Sequence, residues 1–292
     1  MIFKKQLFFC LLTSLLLNIS ICSYADQLED GKTAFSRQEY QKAYALLFPS
    51  AEAGDTFAQT CIGYMLSQGL GVTKNEKEAI RWYEKAAIRG DSDAQYNMGS
   101  MYEKGRGTEQ NYKKALEWYS KSAEQGNAFA QANLGSLYYN GNGVEQNYQK
   151  AIYWYTKSAE QGYYLAQNLL GVMYVNGLGV KKDLDKGYKW ILKAAEQGLE
   201  AAQENAYAIC YDAAMNENIG AMHNLAYMCL NGWAGKQDPN KCVDLLERAA
   251  EKGFAPSISA LAKIFKEGLY GVTPDQSMAG YWREKAKKNS NK

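Results

Sequence analysis

Few side chains in this 292-residue chain could carry out acid–base, nucleophilic or metal chemistry. The single histidine, His223, excludes a multi-histidine metal site and weakens any serine or cysteine triad. Pairs of glycines in the pattern G-x-G lack the preceding strand of a phosphate-binding loop. Acidic residues recur in A-E-Q-G segments, where solvated helix ends explain them more simply than a general acid pair: Glu124, Glu160 and Glu196. We therefore predict no catalytic residue, no metal site and no cofactor.

The charge of the chain is nearly balanced, with 33 lysines and arginines against 31 aspartates and glutamates. Such a chain has no basic field that would gather nucleic acid or anionic lipid. Aromatic residues are abundant instead, with 23 tyrosines and 6 tryptophans. The composition therefore excludes nucleic acid as the partner.

The first 25 residues have the layout of a secretory signal peptide. Lys4 and Lys5 precede an apolar run from Leu7 to Ile21, and Ser23-Tyr24-Ala25 forms a small-x-small cleavage pattern. The run is short for a membrane span of ~20 residues, although an uncleaved anchor stays open as the alternative. We expect cleavage after Ala25, no membrane insertion afterwards, and a mature chain that is periplasmic or secreted.

The rest of the chain is organised around a repeat of 36 residues. Residues 94–129 read AQYNMGSMYEKGRGTEQNYKKALEWYSKSAEQGNAF, and residues 130–165 read AQANLGSLYYNGNGVEQNYQKAIYWYTKSAEQGYYL. A fixed period of this length is typical of solenoids. A compact opening unit and four further copies complete the array, at 30–57, 58–93, 166–201, 221–256 and 257–292.

Each repeat is predicted to form two helices joined by a short loop. In the unit 94–129, apolar residues recur at helical spacing as far as Tyr102, and Gly105 ends this first helix. A second glycine, Gly107, permits a tight turn, and Asn111 is suited to cap the second helix. The sequence therefore predicts an all-α fold, a right-handed α-solenoid of stacked helical hairpins.

The repeated strings A-x-x-x-L-G-x-x-Y-x-x-G-x-G-V and K-A-x-x-W-Y-x-K-A-A-x-x-G resemble the Sel-one-like repeat (SLR), a relative of the tetratricopeptide repeat. The resemblance covers about residues 30 to 290 and implies an all-α scaffold that binds other proteins. It also implies export from a bacterium, with host interaction, envelope complexes or toxin neutralisation as the known roles. The matching positions in one unit are Ala130, Leu134, Gly135, Tyr138, Gly141, Gly143, Val144, Lys150, Ala151, Trp154, Tyr155, Lys157, Ala159 and Gly162.

One segment departs from the pattern. Residues 202–220 begin like a first helix but lack the G-x-G loop, and two helices with a loop hardly fit in 19 residues. We expect a fused or truncated hairpin and a bend there; the alternative is a short hairpin without a bend. The predicted organisation is a signal peptide at 1–25, a regular solenoid at 26–201, the irregular unit at 202–220, and carboxy-terminal repeats with a cap at 221–292.

Four cysteines lie beyond the signal peptide and allow three pairings. Cys229 takes the place of a repeat tyrosine and Cys242 that of a repeat alanine, at positions that face each other across one hairpin. We predict a disulfide between these two. Cys61 and Cys210 lie several repeats apart and are predicted to be buried thiols.

By analogy with tetratricopeptide-like solenoids, the first helices line a concave face that holds the partner. Rings supply contact area and amides supply hydrogen bonds to a protein or an extended peptide. The alternative is that the asparagines before glycine serve the turn and that some tyrosines only pack between repeats. The predicted binding residues are Tyr64, Tyr96, Ser100, Phe129, Tyr139, Asn140, Asn168, Val172, Val175, Asn176, His223 and Tyr227.

The resemblance and the binding face together predict a monomeric periplasmic or secreted scaffold with one protein partner. A sharper hypothesis is an immunity protein that blocks a toxin delivered to the periplasm. The alternatives are a secreted host-interaction factor and an adaptor for envelope assembly. An enzyme acting on cell-wall material is the weakest hypothesis, because no nucleophile or acid pair supports it.

Overall fold

The computed structural model describes residues 26–235 and 238–290. The predicted signal peptide, residues 1–25, lies outside these residues. Within them the backbone forms fifteen α-helices and no β-strand. Helix α1 covers residues 26–36. The others are α2 Tyr40–Glu52, α3 Thr56–Gln68, α4 Glu76–Ile88, α5 Ser92–Lys104, α6 Tyr112–Glu124, α7 Ala128–Asn140, α8 Tyr148–Glu160, α9 Tyr164–Asn176, α10 Leu184–Glu196, α11 Glu200–Met215, α12 Ile219–Leu230, α13 Pro239–Glu251, α14 Ala255–Glu267 and α15 Gln276–Ser290.

The chain divides between Ser158 and Ala159 into two compact units. The first contains α1 to α7 and most of α8, and the second contains α9 to α15. Within each unit, consecutive helices pack as hairpins and each hairpin packs on the next. This stacking is that of an α-solenoid, so the predicted fold class is confirmed.

Local capping sets the ends of the helices, as the sequence predicts. The Asn111 side chain accepts a hydrogen bond from the Lys114 amide at 3.0 Å and caps α6. Gly105 ends α5 in the left-handed conformation, with φ 65°. An aspartate that the repeat pattern did not emphasise caps α5, since Asp91 Oδ1 accepts from the Ala94 amide at 2.7 Å.

A glycine in the first helix holds each hairpin of the first unit together. A Cβ added to Gly99 would lie 2.5 Å from Cδ1 of Tyr119, which is fully buried. The tyrosine of each W-Y pair therefore fills the interior of its own hairpin, and only glycine lets the ring approach the helix. The same pairing joins Gly63 to Tyr83 and Gly135 to Tyr155.

The second glycine of each G-x-G loop does more than turn the chain. A Cβ on Gly107 would lie 2.4 Å from the carbonyl oxygen of Glu76, at the start of α4 in the preceding hairpin. Gly71 approaches the start of α2 in the same way, and Gly143 approaches the start of α6. These glycines are therefore contact points between successive hairpins.

Buried glutamines form a hydrogen-bonded ladder between successive hairpins. Nε2 of Gln95 donates to the carbonyl oxygen of Ala87 at 3.0 Å, and Nε2 of Gln125 donates to Oε1 of Gln95 at 2.7 Å. In the second unit, Nε2 of Gln197 reaches Oε1 of Gln167 at 2.8 Å and the oxygen of Gly162 at 3.2 Å. The buried amides of Gln95 and Gln167 are thereby satisfied, as burial of polar groups requires.

The ladder is broken at Gln59. Arg89 stands where Gln125 and Gln197 stand in later repeats, and its Nη1 bonds the Gly54 oxygen. Oε1 of Gln59 is buried without a hydrogen-bond partner in the described structure. An unsatisfied buried acceptor lowers the free energy of unfolding.

We expect Arg89→Gln to raise the free energy of unfolding by about 1 kcal/mol, because a glutamine can reach both Gln59 and Gly54. Urea denaturation followed by circular dichroism measures this change. The matched control is the reverse substitution one repeat later, Gln125→Arg, which should destabilise the protein. A destabilising Arg89→Gln would contradict the ladder.

One helix fills the irregular segment. Helix α11 runs for 16 residues from Glu200 to Met215, and α12 begins at Ile219. α11 packs on α10 before it and on α12 after it, so a single helix occupies the place of a hairpin. The bend at residues 202–220 stays a prediction.

The cysteines are arranged as the sequence predicts. Cys229 of α12 and Cys242 of α13 form a disulfide with a Cα–Cα distance of 5.7 Å. Cys61 and Cys210 are buried thiols. Burial raises the pKa of Cys61 to about 12 and also raises the pKa of Cys210. The disulfide indicates an oxidising, extracytoplasmic environment.

No helix in residues 26–235 or 238–290 is both long enough and apolar enough to cross a bilayer.

Candidate functional site

The first helices of the five inner hairpins are almost free of charged residues, whereas α1 and α14, in the two terminal hairpins, carry four and three. In α3, α5, α7, α9 and α12 the charged side chains are Asp93, Glu103 and Lys104. The second helices α4, α6, α8, α10 and α13 each carry at least three. In each unit taken by itself, the exposed and half-buried side chains of the first helices, together with those just before each helix, are called the first-helix face.

Lysines on the second helices are used within the fold. Lys85 Nζ lies 3.9 Å from the ring centroid of Trp82, and Lys121 Nζ lies 4.4 Å from that of Trp118. Lys114 Nζ lies 5.0 Å from the ring of Tyr102 in the facing helix. Such cation–π contacts contribute about 0.5–1 kcal/mol each at exposed sites. The lysines and tryptophans that recur in successive repeats therefore have a structural role.

Six of the predicted binding residues lie in the first unit. Tyr64 is 38% exposed and its ring centroid lies 6.0 Å from that of Phe35. Ser100 is half-buried and Asn140 is exposed. The ring of Tyr139 is half-buried against Tyr148, with centroids 5.3 Å apart.

The other two residues of this set, Tyr96 and Phe129, meet each other. Their ring centroids are 5.9 Å apart, and Phe129 is 50% exposed. Tyr96 also lies 5.9 Å from the ring of the buried Tyr119. The structure therefore places an aromatic surface between α5 and α7, on the first-helix face.

A carboxylate joins this aromatic surface. The Tyr119 hydroxyl donates to Oε2 of Glu103 at 2.7 Å, and Nδ2 of Asn133 donates to the Tyr119 oxygen at 3.0 Å. Burial, the charge of Glu103 and the hydrogen bond to Glu103 raise the pKa of Tyr119. We call Tyr96, Glu103, Tyr119, Phe129 and Asn133 the Glu103 cluster.

The sequence predicted only part of this cluster. Tyr96 and Phe129 were predicted binding residues, and Glu103 occupies a first-helix position that was expected to be exposed, whereas Tyr119 and Asn133 were not predicted. The available signal was that Glu103 is acidic at a repeat position where other units have Ser67, Tyr139 and Val175.

The six predicted residues of the second unit are placed differently. Val172 and Val175 pack against the buried core around Ile191 and Ala206. Nδ2 of Asn176 turns back to the Val172 oxygen at 3.0 Å. These contacts favour a packing or helix-end role for the three residues.

Asn168 and His223 also have partners in the fold. Oδ1 of Asn168 accepts from Asn205 at 3.1 Å. Nδ1 of His223 lies 2.9 Å from the Ser257 hydroxyl, and burial lowers the histidine pKa. Tyr227, by contrast, is 51% exposed on α12.

The second unit also contains a cavity of about 660 Å³ beside the lone helix α11. The Tyr188 side chain borders it. Burial is the main cause of the raised pKa of Tyr188, and the hydrogen bond with Cys210 raises this pKa further. Its other lining residues are Val175, Lys182, Leu184, Asp185, Ile209, Cys210, Asp212, Ala213, Asn216, Asn218, Gly220, Ala221 and Asn224. No group of three or more metal-ligating side chains is placed to hold an ion in the described residues.

The family model of the Sel1 repeat matches most of the chain. Seven copies match, at residues 26–55, 57–91, 92–127, 128–163, 165–199, 219–254 and 255–291. The gap between the fifth and sixth copies coincides with the lone helix α11. A sequence search of curated proteins gives no match.

Solved structures with the same repeat are similar to this chain. A protective antigen of uropathogenic Escherichia coli with an SLR fold is 30% identical, with a TM-score of 0.62 over 95% of this chain. This chain spans 64% of the length of that antigen. A Sel1 repeat protein from Oxalobacter formigenes is 32% identical with a TM-score of 0.59, over 89% of this chain and 99% of the other.

An immunity protein from Pseudomonas aeruginosa is more distant. It is 18% identical with a TM-score of 0.39, over 80% of this chain and 81% of the other. A likeness of this size does not extend to function.

Proposed function

The chain belongs to the Sel1 repeat family, a family of protein-interaction scaffolds, and from that premise we propose that it holds one protein partner on its first-helix face. The disulfide between Cys229 and Cys242 supports an extracytoplasmic location, for which we propose the periplasm or the outside of the cell. A scaffold needs no catalytic group, and we propose that this chain is not an enzyme.

The distribution of charge between the helices supports this face. Protein interfaces are depleted of charged residues at their centres and enriched in tyrosine, tryptophan and phenylalanine. The first helices α3, α5, α7, α9 and α12 share the depletion of charge, and they present Tyr64, Phe129 and Tyr227 with exposed fractions of 38%, 50% and 51%. The second helices carry more charged residues, and their Lys85 and Lys121 make cation–π contacts with tryptophan rings of the same helix. The contrast between the two sets of helices is the observation that carries the proposal.

The class of partner follows from the roles of exported family members. We propose a toxin delivered to the periplasm, which would make this an immunity protein, or an envelope protein that the scaffold helps to assemble. A third candidate is a secreted factor that meets a host, and the 30% identity to a protective antigen favours it.

The test is capture of a partner by the mature chain from periplasmic and culture fractions, followed by an affinity measurement with the purified partner. Phe129→Ala and Tyr64→Ala should each weaken binding by about 2 kcal/mol, as truncated aromatic anchors do. The matched control is Tyr153→Ala, because Tyr153 is 54% exposed but lies on the second helix α8.

Equal losses for Tyr153→Ala and the first-helix variants would show that the first-helix face is not the binding surface. The identity of the captured protein separates the three classes of partner.

A further inference from the structure

We propose that the Glu103 cluster binds a basic side chain, arginine or lysine, contributed by the protein partner. The inference rests on the proposed protein-binding role and names the chemistry of one contact within it.

The carboxylate of Glu103 is held in a fixed position. Its Oε2 accepts the Tyr119 hydroxyl at 2.7 Å, and Tyr119 cannot move because its ring is buried against Gly99. Asn133 binds the same hydroxyl from the next hairpin at 3.0 Å. Three helices, α5, α6 and α7, therefore fix the carboxylate and its donor. Preorganised groups of this kind lose little entropy when they bind.

The charge of Glu103 is not neutralised within the described residues. Its side chain is half-buried, yet no lysine or arginine there lies within ion-pair distance of it. Glu76 of the preceding repeat shows the contrast, with Lys74 and Arg106 both at 2.9 Å. The Glu103 carboxylate therefore has a hydroxyl donor but no counter-ion among the described side chains, and a cation from outside the chain can pair with it.

The aromatic rings of the Glu103 cluster favour a cation over a neutral donor. Tyr96 lies between Tyr119 and the half-exposed Phe129, and the electron-rich faces of such rings attract ammonium and guanidinium groups. The chain uses the same combination elsewhere. Lys32 lies 5.5 Å from the ring of Phe57, the repeat equivalent of Phe129, and bonds the Glu29 carboxylate at 2.7 Å.

A metal ion does not fit the cluster. Glu103 is its one carboxylate, and calcium or magnesium requires about six oxygen ligands. A basic side chain needs only one carboxylate and an aromatic face, and arginine can use both at once.

The experiment is a chemical-shift titration of the mature chain with N-acetyl-arginine amide and, separately, N-acetyl-lysine amide. N-acetyl-citrulline amide is the control ligand, because it has nearly the shape of arginine without the charge. We expect saturable shifts at the amides of Tyr96, Gly99 and Asn133 with the cationic amides, and an affinity for citrulline amide lower by about tenfold or more.

Glu103→Gln keeps an acceptor for Tyr119, so it should fold while losing the response to the cationic amides. Glu117→Gln is the matched control, because it removes the same charge from an exposed position on α6 of the same repeat. Equal responses to arginine and citrulline amides, an unchanged response in Glu103→Gln, or no saturable shift would each overturn the inference.

The small-molecule titration separates this inference from the proposed function. If the cationic amides do not bind and Phe129→Ala still weakens partner capture, the basic contact is wrong and the binding face stands. If the amides bind as expected but no first-helix variant affects capture, the cation site is real and the proposed protein interface is wrong.

Discussion

Replacing Gly107 by alanine is expected to lower the free energy of unfolding of the first unit by about 3 kcal/mol or more. Two costs add. The glycine has φ 68°, a left-handed conformation that L-residues adopt unfavourably, and its Cβ would lie 2.4 Å from the Glu76 oxygen. That oxygen belongs to the first turn of a helix, so it cannot move aside. Urea denaturation measures the total loss, and hydrogen exchange in α4, α5 and α6 shows whether the first unit opens.

The matched control is Gly126→Ala. Gly126 has φ 95°, but a Cβ there meets no atom within 4 Å. It should therefore cost only the conformational part, about 1–2 kcal/mol. Similar losses for the two variants would show that the Gly107 loop is not a tight contact between hairpins.

Removing the disulfide with Cys229→Ala and Cys242→Ala together is expected to lower the free energy of unfolding of the second unit by about 3 kcal/mol. This is the value expected for a disulfide that closes a loop of roughly 15 residues, because the cross-link restricts the unfolded chain. The cross-link spans a sequence separation of 13 residues and joins α12 to α13. Denaturation with and without a reductant provides the measurement. The wild-type protein should lose stability on reduction, and the double variant should not respond.

Cys210→Ala is the control, because it removes a buried sulfur from the same unit without breaking a cross-link. It should cost about 1 kcal/mol, as typical point mutations do, and should keep the response to reductant. A double variant as stable as Cys210→Ala would mean that the disulfide contributes little to folding.

The parts of the fold that depend on residues close together in the sequence were predictable. Asn111 and Gly105 act on backbone groups within a few residues, so their types alone indicate where helices begin and end. The disulfide was predictable for a related reason. The repeat register placed Cys229 and Cys242 opposite each other within one hairpin, and the structure confirms the bond.

The parts that depend on packing between hairpins were not predictable in the same way. Gln95 is a polar residue, and nothing in its own repeat shows that a carbonyl and a second glutamine will satisfy its buried amide. Gly107 was expected to permit a turn, but its contact with α4 depends on how two hairpins stack.

The candidate site shows the same limit. The first helices could be recognised from the sequence, and so could Tyr96 and Phe129 as face residues. The hydrogen bonds that join Glu103, Tyr119 and Asn133 connect residues 14 and 16 positions apart on three helices. Their meeting depends on the rotation of each helix, which the hydrophobic period gives only coarsely.

The glutamine ladder has a consequence for how such genes change length. Each rung joins residues 30 positions apart, with the same partners in successive copies. A deletion or insertion of a whole 36-residue unit preserves this spacing, so pairs such as Gln95 and Gln125 would keep equivalent partners. An insertion of any other length would separate such partners, which makes one unit the smallest step by which this part of the array can change length.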